Sequence, residues 1–129
     1  MRQRPSSPKF QVHNTALISA QKNDLFKDAI AKPDEWGCVV ESAIGAHLVD
    51  HSLTEKFTLH YWRERNEEVD FVIERKGKVI GLEVKSGATS ATSGMNAFKN
   101  KFNPHKVLLI GNAGLHLQDF LKPNPVSLF

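Results

Sequence analysis

The apolar positions of the chain change their spacing near residue 56. Before it, Val40, Ile44 and Leu48 recur at helical spacing and predict a helix over residues 34–50. After it, apolar and polar residues alternate with a period of two, which is the pattern of a half-buried strand. The chain therefore changes there from helix to sheet.

The other segments complete an α/β order. Strands are predicted at residues 57–62, 69–74, 79–85 and 105–110, with helices at residues 15–20, 24–31, 93–102 and 115–121. Residues 86–94, rich in small and hydroxyl side chains, are predicted to be a loop. The order α-β-β-β-α-β over residues 34–111 predicts an α/β domain with a central mixed sheet flanked by helices.

A length of 129 residues fits one domain. Residues 1–9 contain two prolines and few apolar side chains, so they are predicted to be a disordered arm or the remnant of a linker. Residues 10–129 then form the single folded domain. The net charge of +3 comes from Arg2, Arg4 and Lys9 in the arm, so bulk charge is weak evidence for nucleic-acid binding.

The composition also bears on the location of the protein. No apolar run is long enough to span a membrane, and no signal-peptide pattern is present. Cys38 is the only cysteine, which rules out an intrachain disulfide and a cysteine zinc cluster. These features predict a cytoplasmic protein, with Cys38 as a small residue of the core.

Lys76-Gly77 lies between two strand patterns and predicts a two-residue hairpin turn. The turn sets an apolar face, with the opposed pairs Phe71–Leu82, Ile73–Ile80 and Val69–Val84. It sets a second face, with the opposed pairs Asp70–Glu83, Glu68–Lys85 and Val72–Gly81. The register therefore brings two carboxylates together.

Opposed carboxylates in a sheet need a cation between them or a shared proton. A divalent ion with oxygen ligands meets this need, and magnesium suits one or two carboxylates plus water and phosphate. Glu41 is the one charge on the apolar side of the first long helix, so it is expected to face Asp70 and Glu83. The alternative is a solvated acidic face with an ordinary Glu68–Lys85 pair.

Together, Asp70, the segment Glu83-Val84-Lys85 and Glu41 on the preceding helix resemble the motif of the PD-(D/E)xK nuclease superfamily. That superfamily has the restriction-endonuclease-like fold. A longer string is similar to a domain of unknown function at the C-terminus of prokaryotic AAA+-type ATPases. The string comprises Tyr61-Trp62-Arg63, Glu68-Val69-Asp70-Phe71-Val72, Gly81-Leu82-Glu83-Val84-Lys85-Ser86-Gly87, Pro8-Lys9-Phe10, Asn14-Thr15-Ala16-Leu17, and Gly94-Met95 with Phe98. Val69 stands where the name of the nuclease motif has proline.

The resemblance implies a Mg²⁺- or Mn²⁺-dependent nuclease that hydrolyses DNA phosphodiesters. The implied catalytic residues are Glu41, Asp70, Glu83 and Lys85. The metal would be held by Asp70, Glu83, the carbonyl of Val84, and Glu41 directly or through water. Lys85 would orient the attacking water or offset charge in the transition state. Ser86, Lys99 and Lys101 would contact the DNA backbone.

Other roles stay open. The chain has no P-loop motif, so it is not a P-loop ATPase, and it resembles a separated ATPase tail domain. The alternative to an enzyme is a catalytically idle module that binds DNA or protein and docks or regulates an ATPase. A toxin–antitoxin or defence role is a third hypothesis, and no residue of the sequence tests it. A homodimer is compatible with cutting both strands.

Two other groups of residues have both a structural and a functional interpretation. His47 and His51 are four apart on the first long helix and form a possible zinc pair, although no third ligand is evident. Tyr61 and Trp62 can stack on bases, but aromatic residues in a central strand usually belong to the core.

Overall fold

The computed structural model describes residues 9–22, 25–87 and 92–129. Its helices are α1 (Ala16–Ala20), α2 (Phe26–Ile30), α3 (Pro33–Glu55), α4 (Ser93–Phe102) and α5 (Leu117–Leu121). Its strands are β1 (Thr58–Glu64), β2 (Glu67–Arg75), β3 (Lys78–Lys85) and β4 (Lys106–Gly111). The order α-β-β-β-α-β from α3 to β4 is the predicted one. A 3₁₀ turn at Pro125–Leu128 was not predicted.

The four strands form one mixed sheet in the order β1-β2-β3-β4. The first three strands are antiparallel neighbours. Strands β3 and β4 are parallel, because α4 returns the chain to the end of the sheet at which β3 begins. Helix α3 packs on one face and α4 on the other. The predicted α/β class with helices on a mixed sheet is therefore confirmed.

Two apolar clusters hold these layers together. The larger one joins α3 to β2, β3, β4 and α5, with Ile44, Leu48, Ile73, Ile80 and Leu82 fully buried. The smaller one lies under α4 and contains Val69, Val72 and Phe98, with Trp62 packed against it. Both faces of the central strands are thus covered, and Trp62 belongs to the core as predicted.

The predicted hairpin register is confirmed between Phe71–Leu82 and Arg75–Lys78. The placement of Val69 on the same face as Phe71 is wrong. Between β1 and β2, Asp70 and Phe71 together lie opposite the single residue Tyr61, which is a β-bulge. The bulge rotates Val69 into the cluster beneath α4.

Several boundaries also differ from expectation. Helix α3 continues to Glu55 and ends at Lys56, whose left-handed φ of 55° closes the helix. Cys38 is exposed, so its predicted place in the core is wrong. The start of the helix expected at residues 24–31 and the centre of the predicted loop at residues 86–94 lie outside the described residues. Among the helices that the structure describes, none combines the length and apolar character needed to cross a membrane.

Candidate active site

Asp70 lies where β2 and β3 stop pairing. The paired register ends at Phe71–Leu82, so the predicted Asp70–Glu83 pair is not part of the ladder. Instead, the backbone N–H of Val84 donates to Asp70 Oδ2 at 2.8 Å. The bulge directs the Asp70 carboxylate to Val84 of β3, which stands between Glu83 and Lys85. Asp70 therefore reaches β3 through its side chain.

Burial dominates the electrostatics of Asp70. Loss of hydration raises the pKa of its carboxyl group to about 6, and the negative charge of Glu41 acts in the same direction. The hydrogen bond from Val84 and the charges of Lys9 and Lys85 act against the rise. Such a raised carboxyl pKa beside charged partners is typical of functional sites.

Glu83 and Lys85 form an ion pair next to this position. Lys85 Nζ lies 2.9 Å from Glu83 Oε1, and the Glu83 side chain is only 6% exposed. Burial lowers the pKa of the Lys85 ammonium, but Glu83, Asp70 and Glu68 outweigh burial and raise it overall. Glu83 Oε2 is buried without a hydrogen-bond partner in the described part of the chain. One carboxylate oxygen is therefore available to a cation.

Glu41 contributes from α3, where it is half-exposed, and it pairs with Lys9 rather than with a residue of the sheet. Lys9 Nζ also lies 3.8 Å from Asp70 Oδ1 and 3.4 Å from the Asp70 carbonyl oxygen. It lies 4.9 Å from the centre of the Phe71 ring. Lys9, the last residue of the predicted arm, thus joins Glu41 to Asp70.

A pocket of about 300 Å³ opens at this point. Its walls are Lys9, Glu41, Tyr61, Arg63, Glu68, Val69 and Asp70. Glu83 and Lys85 are not among the described residues that line it, so they approach Asp70 from β3 instead. The four predicted catalytic residues therefore fall into two groups, Glu41 and Asp70 joined by Lys9, and Glu83 paired with Lys85, and the hydrogen bond from Val84 connects the two groups.

Sequence reasoning missed Lys9, Arg63 and the pocket-lining role of Tyr61. Arg63 has a detectable signal, since it stands two residues after Tyr61 on the strand that pairs with β2, opposite Glu68. Lys9 has no local signal because it meets Asp70 only across 61 residues of chain.

The predicted DNA-contacting residues lie apart from this pocket. Lys101 pairs with Glu64 at the end of β1, and Lys99 is exposed on α4. Ser86 lines a second pocket, of about 500 Å³, with residues of α3 and of the chain that follows β4. The positive charges that act on the Asp70 carboxyl group are those of Lys9 and Lys85.

The donor set fits a magnesium ion better than a zinc ion. Within the described ranges, no three His, Cys, Asp or Glu side chains are grouped closely enough to form a complete metal cage. Magnesium does not need one, because one or two carboxylates plus water and phosphate suffice. Asp70 and the unpartnered Oε2 of Glu83 supply hard oxygen donors of that kind.

The His47–His51 pair shows no zinc geometry. The ring centroids are 4.4 Å apart, and His51 Nδ1 is hydrogen-bonded to the carbonyl oxygen of His47 at 2.8 Å. Phe120 of α5 covers the His47 ring. No third ligand accompanies the pair among the described residues, and His47 packs against α5.

Comparison with known proteins gives a family but no activity. No curated protein is similar enough to the chain to match it. A family model described as a domain of unknown function, DUF4143, matches residues 36–129. That match includes Glu41, Asp70, Glu83 and Lys85 and excludes Lys9. Since it covers well over half of the sequence, the chain belongs to the DUF4143 family.

Proposed function

We propose that this protein is a magnesium-dependent phosphodiesterase of the PD-(D/E)xK type that acts on DNA. The observation that carries the proposal is the position of the Asp70 carboxylate at the Glu83-Val84-Lys85 segment, fixed by the hydrogen bond from Val84. A raised pKa at Asp70 and an unpartnered oxygen on Glu83 accompany it. The alternative, a solvated acidic face, does not account for the burial of both carboxylates.

Asp70 and Glu83 would hold the ion, together with the carbonyl of Val84. Glu41 would complete the shell directly or through a water molecule, after it separates from Lys9. Mn²⁺ would serve equally, since it prefers the same carboxylate, carbonyl and water ligands. When bound, the ion supplies Lewis-acid polarisation of a phosphodiester and an acidified water.

Lys85 is proposed to act as an ammonium group rather than as a base. Its ammonium pairs with Glu83, and nearby negative charges raise its pKa. It is therefore a poor general base, and its role is to orient the attacking water and to offset negative charge in the transition state. Arg63, on the pocket wall, can donate two hydrogen bonds to a phosphate of the substrate.

DNA is the proposed substrate because the pocket combines carboxylates with positive side chains beside an open surface. Phosphate contacts from Arg63 and Lys85 would position the backbone without reading its sequence. Ser86, Lys99 and Lys101 would extend these contacts along the strand. A separate AAA+-type ATPase is the proposed partner in the cytoplasm, on the basis of the sequence resemblance alone.

The test is cleavage of labelled linear, nicked and branched DNA with Mg²⁺ or Mn²⁺. Wild type is compared with Asp70→Asn and with Asp28→Asn, which makes the same change on the exposed helix α2. We expect metal-dependent cutting by wild type and Asp28→Asn. Asp70→Asn should lower the rate by at least about a thousandfold, equivalent to about 4 kcal/mol of transition-state stabilisation.

Cleavage that survives Asp70→Asn or chelation of the metal would reject the proposed site. Failure of all three proteins to cut any substrate, alone or with the AAA+-type ATPase, would favour the idle docking module. In that case Glu83→Gln should leave the activity of the partner ATPase unchanged.

A further inference from the structure

Residues 9–15 run along α3 as a strap, and polar contacts tie them to the helix. Gln11 Nε2 donates to the Ser42 carbonyl oxygen at 2.9 Å. Further along, His13 Nδ1 lies 2.7 Å from an oxygen of Asp50. The strap precedes the part of the chain that the family model matches.

The strap delivers one positive charge to the candidate site. Lys9 Nζ contacts Glu41 and the Asp70 carbonyl oxygen and lies 3.8 Å from Asp70 Oδ1. Its ammonium is two-thirds buried with its side chain and rests over the Phe71 ring. An ammonium in this position stands where a cation shared by Glu41 and Asp70 would be.

Gly45 leaves room for the polar contact of Gln11 with the helix. A Cβ atom on Gly45 would lie 1.9 Å from Oε1 of Gln11, so a side chain there would push the Gln11 amide away from the Ser42 carbonyl oxygen. Glycine in the middle of a helix is otherwise unfavourable. Gly45 thus supports the strap at a distance from the carboxylates.

We propose that Lys9 is an internal competitor of the divalent ion, and that the strap must release Lys9 before Glu41 and Asp70 can serve a metal. This inference rests on the proposed metal site. Two positive charges cannot share one pair of carboxylates without strong repulsion. The strap therefore lowers the apparent affinity for the metal in proportion to the fraction of molecules in which it is closed.

The experiment is calorimetric titration with Mn²⁺ alone, without nucleic acid. Lys9→Met keeps the length of the side chain and removes its charge, whereas Gly45→Ala displaces Gln11 and leaves the charge in place. Lys122→Met removes one exposed positive charge elsewhere and serves as the matched control. For a strap closed in about 90–99% of molecules, Lys9→Met should bind about 10–100-fold more tightly. Gly45→Ala, which loosens the strap by breaking the Gln11 bond to Ser42, should also bind more tightly than wild type, by a smaller factor. Lys122→Met should bind as wild type does.

Asp70→Asn separates failure of the strap from failure of the metal site. If Asp70→Asn abolishes binding while Lys9→Met and Gly45→Ala bind as wild type does, the competition is refuted and the metal site stands. Tighter binding by Lys9→Met alone would refute release of the strap and leave only a local charge effect. Absence of Mn²⁺ binding in every variant would overturn both the strap and the metal site.

Discussion

At the scale of single residues, Asp70 combines a structural disadvantage with a proposed function. Burial of its charge destabilises the fold, as its raised pKa indicates. Hydroxyl or amide side chains could accept the bond from Val84 without that penalty. A buried carboxylate in this position is what the proposed metal site requires.

Asp70→Asn should stabilise the metal-free protein at neutral pH. The carboxyl pKa is about 6 in the folded state against 3.8 as a reference, so the folded state binds more protons between these values. The contribution of Asp70 to the stability of wild type is therefore fully present below about pH 4 and is lost as pH rises through 6. The shift corresponds to about 3 kcal/mol at most.

Urea denaturation with a chelator present measures this difference. Asp70→Asn should exceed wild type by about 2–3 kcal/mol at pH 8, and the two proteins should be equal near pH 3.5. A variant that is less stable than wild type at pH 8 would show that the ionised Asp70 stabilises the fold.

Lys85→Met should destabilise the protein because it leaves the buried Glu83 carboxylate without its partner. Loss of one member of a buried pair costs about 3–5 kcal/mol, and the 35% exposure of Lys85 reduces this to about 2 kcal/mol. Adding Glu83→Gln should restore most of the loss. Equilibrium unfolding of both single variants and the double variant gives the coupling energy, and additive effects would contradict the pairing.

At the scale of elements, sequence periodicity predicts the strands but not the bulge in β2. The segment Val69, Phe71, Ile73 alternates regularly, and Val69 is apolar enough for either face of the sheet. The only hint is Val72, an apolar residue on the face expected to be polar. The bulge depends on pairing with β1, which lies outside the local pattern. The four candidate catalytic residues could therefore be named from sequence, whereas their arrangement could not.

Gly94→Ala should loosen the contact between α4 and β2. A Cβ atom on Gly94 would lie 2.0 Å from the carbonyl oxygen of Glu68, which is backbone and cannot move aside. We expect a loss of about 1–3 kcal/mol, although alanine is the better helix former. Asn96→Ala, an exposed change on the same helix, should stay within about 0.5 kcal/mol in the same thermal unfolding experiment. Equal stability of the two variants would contradict the close approach.

At the scale of the whole molecule, three distant segments converge at Asp70, near the start of β2. Helix α3 brings Glu41, the hairpin brings Asp70 and Glu83, and the N-terminal strap brings Lys9. The sequence predicts the first two because they lie on regular elements. Lys9 could not be predicted, since its place depends on tertiary contacts of the strap with α3. The proposed site is thus an arrangement of carboxylates that already holds two internal cations, Lys9 and Lys85.

The most direct test of this account is the position of a bound metal. Crystals grown with Mn²⁺ would locate the ion by its anomalous scattering. The account predicts a peak about 2.1 Å from carboxylate oxygens of Asp70 and Glu83, with Lys9 moved away from Glu41. A peak only at His47 and His51, or Lys9 still paired with Glu41 and Asp70 at saturating Mn²⁺, would contradict it.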